Sequence, residues 1–138
     1  MPQRDYILRL IEQAAAVLKA LRILITKGSA DPAEVDRQLR QTLGQLGFDL
    51  DVARLADAES LERIVAPTGE IEPTRAWLVA EAMYIDGLEA EARGSEEEAR
   101  VSFEKALRLF RLFDPRLLLP AGSSSALERI AEIEQKLR

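Results

Sequence analysis

Cysteine and histidine are both missing from the 138 residues. Without them the chain has no thiol nucleophile, no Ser-His or Cys-His pair and no zinc site of the usual kinds. It also lacks the one side chain that normally titrates near neutrality. The lack of cysteine is compatible with a reducing cytosol. Positive charge is in deficit: 19 Lys and Arg against 24 Asp and Glu give a formal net charge of -5. That balance disfavours nucleic acid, whose phosphates demand clustered positive charge, and disfavours a membrane surface for the same reason. Long apolar runs are missing as well. Lys19 and Arg22 interrupt residues 14–25, and Arg4 and Asp5 precede them. A membrane span needs about 20 apolar residues, and a signal peptide needs an unbroken apolar stretch. A cytoplasmic location is expected. Neither GxxxxGK[ST] nor GxGxxG occurs, so no phosphate-cradling loop is expected. Val, Ile and Thr nowhere alternate with polar residues over a strand's length, which argues against sheet.

What is present points to helices. Apolar residues make up 47% and charged residues 31%, with Ala, Leu, Glu and Arg abundant. The reading is all-α: one domain over 1–138, with about six helices and antiparallel hairpins at both ends. A 1–66 half and a 73–138 half are joined through Pro67, Gly69 and Pro73. The first helix, over about 5–26, is apolar around most of its circumference, so it is either central to the domain or shared with a partner chain. Asp31-Pro32-Ala33-Glu34 starts a second helix, and Gly47 stops it. Residues 48–65 read as one or two short helices, with Asp57 as a cap.

The most specific stretch is 76–113, two helices joined by a tight turn. Gly94 suits the left-handed position that ends a helix, and Ser95 with Glu98 has capping-box spacing. Ala76, Ala80, Gly87 and Ala90 are small, while Phe103 and Phe110 are large, so the second helix can fill the room left by the first. Ser125 and Glu128 repeat the capping-box spacing before a last helix whose expected wet face carries Glu128, Arg129, Glu132, Glu134 and Lys136.

Gly87, Ala99, Phe103 and Ala106, with Gly94 in the turn, make the hairpin resemble a single tetratricopeptide repeat. Asp86 departs from that pattern, standing at a usually apolar position. The resemblance implies a TPR-like helix pair and a role in protein binding. The opening residues 3–12 also look like the start of a bacterial family of small uncharacterised helical proteins. That likeness implies a bacterial source and a shared fold, and supplies no activity.

These readings favour a non-enzymatic interaction or adaptor module with a protein or peptide partner or a second copy of itself, and no cofactor. No catalytic or metal residue is assigned. The expected interaction surface comprises Trp77, Tyr84, Lys105, Arg108, Arg111 and the loop leucines Leu117, Leu118 and Leu119. Leu8, Ala15 and Ile23 mark the expected self-association face of a homodimer. For Trp77 and Tyr84 core packing is the favoured reading; for the three cations a solvated face is. Glu81, Asp86, Glu89, Glu91, Glu96, Glu97 and Glu98 read chiefly as solvated or capping acids. A carboxylate-only metal protein or enzyme is the second reading of the chain, and a bundle holding a small apolar ligand the third.

Overall fold

The computed structural model describes residues 2–69, 73–113 and 125–138, with backbone only at residues 2–4 and 7. Seven helices and no strand occur among the described residues: α1 (Pro2–Thr26), α2 (Pro32–Gln45), α3 (Leu50–Leu55), α4 (Ala58–Val65), α5 (Pro73–Ala92), α6 (Glu96–Phe110) and α7 (Ala126–Leu137). The expected leucine trio, Leu117–Leu119, lies outside the described residues.

The centre is α5. From Ala76 to Ala90 every residue is buried except half-buried Asp86. Such a helix has no wet stripe and must be covered on all sides. Helix α6 packs along it most extensively, α1 covers a second side, α2 a third, and α7 lies against α6. Helix α1 is thus a covering helix. Its Ala14, Leu18, Leu21 and Ile25 face the core, while Leu8, Ile23 and Leu24 stay exposed. One apolar cluster draws on all seven helices, so residues from both halves share a core.

Local sequence explains most boundaries. Asp31, Asp49 and Asp57 each accept a backbone N–H in the first turn of α2, α3 and α4, and Ser125 does so for α7. The α5–α6 turn closes on Gly94 at φ 83°, with Ser95 N–H donating to Ala90 O and Gly94 N–H to Glu91 O. Only a residue free of Cβ strain takes that conformation cheaply. The Ser95–Glu98 capping box does not form. Ser95 makes no side-chain cap bond; Arg93 Nη1 donates to its Oγ, and Arg93 Nη2 donates to Glu98. The guanidinium outcompetes the reciprocal cap because its hydrogen bonds are charge-assisted.

The α5–α6 contact is tightest at Gly87. A Cβ there would lie 2.6 Å from two ring carbons of Phe103. Gly87→Ala gains up to about 1 kcal/mol in helix propensity, against an overpacking cost of about 1–3 kcal/mol. Phe103 is itself 2% exposed, so its ring has little room to retreat. We expect Gly87→Ala to lower unfolding stability by about 1 kcal/mol net. Gly44, inside α2 with open space around it, should respond with the opposite sign when changed to Ala. Urea unfolding followed by circular dichroism checks both.

Candidate functional site

A helix buried on all sides has to settle its own charges. Three carboxylates of α5 are involved, and each faces an arginine.

Asp86 accepts two hydrogen bonds from Arg54 on α3, at 2.9 and 3.4 Å. The same guanidinium reaches Asp36 on α2, and Ser102 Oγ donates to Asp86 at 3.4 Å. The hydrogen bond from Arg54 holds the Asp36 carboxyl below its ordinary range. Alongside, Lys105 of α6 is 5% exposed. Its ammonium donates to Ala53 O at 3.0 Å and Arg54 O at 2.7 Å. These carbonyls lie in the last turn of α3, the negative end of that short helix, where a cation is favoured. Desolvation pulls the Lys105 pKa down, while Asp86 and Asp57 oppose it.

At the hairpin tip, Glu89 is 8% exposed and accepts from Arg93 Nε at 2.7 Å. These two polar groups end a cleft of about 610 Å³ between α2, α3, α5 and α6. Its floor is Val35, Met83 and Ala90, all buried. Pro32, Ala33 and Val101 stand at its exposed rim, with Glu97 and Glu98 beyond them. The volume falls in the range of ligand sites, about 300–1,000 Å³.

On the other side of α5, Glu81 is 2% exposed and Arg129 of α7 is 1% exposed. They form a bidentate pair at 2.7 and 3.0 Å. Arg129 also donates to Glu132 at 2.8 Å and lies 4.7 Å over the Tyr84 ring, and Tyr84 Oη donates to Glu132 at 3.1 Å. Burial pushes the Glu81 carboxyl up, and Arg129 pulls it back. Arg22 of α1 approaches Glu81 at 3.8 Å. Its Nε, like Trp77 Nε1, is buried with no hydrogen-bond partner among the described residues. This cluster fastens α1 and α7 to α5, and no cleft reaches Glu81 or Arg129 among those described.

The residues singled out in the sequence scatter. Trp77 and Tyr84 are 3% and 4% exposed and serve as core, so they present no surface. Lys105, Arg108 and Arg111 do not form one patch: Lys105 is buried on α3, Arg108 pairs with Glu62 of α4 at 2.8 Å, and Arg111 pairs with Glu134 of α7 at 3.5 Å. Each long side chain crosses to a different neighbouring helix. Ala15 is buried, whereas Leu8 and Ile23 remain 49% and 40% exposed. Glu81 and Glu89 are buried and paired rather than solvated, and Arg129 leaves the expected wet face of α7 for the core. Arg54, Asp36 and Ser102 were not indicated by sequence. The one available signal was Asp86 itself, a carboxylate amid the largely apolar residues 76–90, which calls for a cation nearby. Among the described residues, no three acidic side chains converge to hold a metal ion, and no helix is long and apolar enough to cross a membrane.

A scan against protein-family models found no match, and neither curated proteins nor solved structures gave one.

Breaking the Glu81–Arg129 pair should be costly. Arg129→Met leaves a buried carboxylate and should lower stability by about 3–5 kcal/mol. Glu81→Leu combined with Arg129→Met should lose less than Arg129→Met alone, because no uncompensated charge remains. Urea unfolding read from the single tryptophan, one helical turn from Glu81, measures this cycle.

Acid should also weaken the fold in a defined window. The hydrogen bond from Arg37 holds Glu34 down at about 2, and Asp57 is lowered by the Ser60 backbone N–H. Folded pKa values below the unfolded ones mean stability that is present above about pH 4.5 and is lost as pH falls toward 2. Glu81, raised by burial, works in the opposite sense. The contribution of Glu34 and Asp57 should therefore be lost in thermal melts below about pH 4.5. Glu34→Gln should make that loss smaller.

Proposed function

We propose that the protein is a non-enzymatic interaction module, and that the cleft between α2, α3, α5 and α6 receives a segment of a partner protein. The observation that carries this reading is the cleft itself: exposed apolar residues Pro32, Ala33 and Val101 stand beside charged groups already held in place. Arg54 is fixed between Asp36 and Asp86, and Arg93 between Glu89 and Glu98. Side chains ordered before a partner arrives lose less entropy when it binds. The small-to-large packing of α5 on α6 supports a TPR-like role for the hairpin as the frame of the site, with contact made by residues beside it. The second reading, chemistry by carboxylates, draws less support, since Asp36, Asp86, Glu89 and Glu98 are engaged by arginines. An apolar small ligand draws less support too, since it would meet charged walls while Val35, Met83 and Ala90 are buried beneath them.

Val101 stands 46% exposed at the rim, while Leu127 on α7 is 58% exposed and is not among the cleft's lining residues. Peptides selected from a displayed library against the wild-type protein should bind at least tenfold more weakly to Val101→Glu, about 1.4 kcal/mol. They should bind unchanged to Leu127→Glu, with both variants melting like the wild type. Equal binding to Val101→Glu and wild type would remove the cleft as the site.

A further inference from the structure

We infer that the cleft selects an extended peptide segment in which a Lys or Arg alternates with apolar side chains, the cation lying toward Glu97. This rests on the reading of the cleft as a peptide site and adds the chemistry of its occupant.

The shape sets the conformation. From Met83 to Arg93 the cleft follows α5 for about 15 Å at helical rise. That length matches about four or five residues of extended chain. An amphipathic helix needs a groove that is apolar along its length, whereas here Asp86 and Glu89, each paired with an arginine, interrupt the apolar residues along α5. An extended chain can set alternate side chains against the exposed Pro32, Ala33 and Val101 and toward the carboxylates.

Charge sets the specificity. Five carboxylates line the cleft against three cations. The cations are already engaged: Arg54 and Arg93 each bridge two carboxylates, and Lys105 is bound to two carbonyls. An acidic segment would find no open cation and would meet the surplus negative charge. Among the described residues, Glu97 is the lining carboxylate without an ion pair. It is exposed at the first turn of α6, on the same wall as Val101. A ligand ammonium or guanidinium there gains a partner without breaking an existing pair.

Three peptides about five residues long, with leucine alternating with lysine, glutamate or serine, test the inference by amide chemical-shift mapping on the whole chain. The lysine peptide should shift cleft amides and bind tightest. Its affinity should fall as ionic strength rises from about 0.05 to about 0.5 M. Glu97→Lys should weaken it about fivefold and leave the serine peptide unaffected. Equal or tighter binding of the serine or glutamate peptide in the cleft would overturn the charge selection and leave the cleft as a peptide site. If no peptide shifts cleft amides, both readings fall. Competition by spermidine at an affinity matching that of the lysine peptide would also overturn the inference, since charge alone would then suffice.

Discussion

The seating of α5's carboxylates on arginines is the constraint on which the rest of this structure depends. A helix surrounded by other helices cannot send Glu81, Asp86 and Glu89 to water. Leaving any of them charged and unpaired would cost several kcal/mol. Each therefore draws an arginine to it: Arg129 from α7, Arg54 from α3, and Arg93 from the helix's own end. The directions differ because successive positions point to different sides of the helix. Two of the pairs thereby tie α7 and α3 to one axis, and the third closes the end of α5 itself.

That arrangement separates two kinds of polar centre. The Glu81–Arg129 pair is shut away from solvent and joins α7 to the core, with Glu132 accepting from both Arg129 and Tyr84. The Asp86–Arg54 and Glu89–Arg93 pairs line a space that α2 and α6 leave open above α5. The same chemical solution, an arginine on a helix carboxylate, is a fastener where helices close over it and a wall where they do not. Lys105 belongs with the fasteners despite lining the cleft, since its donors hold the end of α3.

Much of the fold was legible in order along the chain. Asp31, Asp57, Ser125, Gly47 and Gly94 act within a few residues of themselves, so their caps and stops follow from local chemistry. That small residues of α5 face large ones of α6 was also readable from their helical spacing, though the seat of Phe103 on Gly87 was not. The site was much less legible. Arg54 lies 32 residues from Asp86, and Arg129 lies 48 from Glu81. No periodicity within a helix reports such a pairing. The same limit misplaced Arg129 on the wet face of α7 and Ser95 in a capping box, since an arginine several ångströms long chooses among all acids within reach.

The all-α class, the breaks between helices and the close approach of α5 to α6 were determined by the sequence by itself, because helix propensity, capping and side-chain volume are properties of neighbouring residues. Tertiary structure alone decided which helix is central, with α5 buried and α1 laid over it. It alone decided which charges pair and where a cleft remains. Those outcomes depend on how seven short cylinders share one core, and many arrangements are compatible with the same apolar stripes until the charges between them are matched.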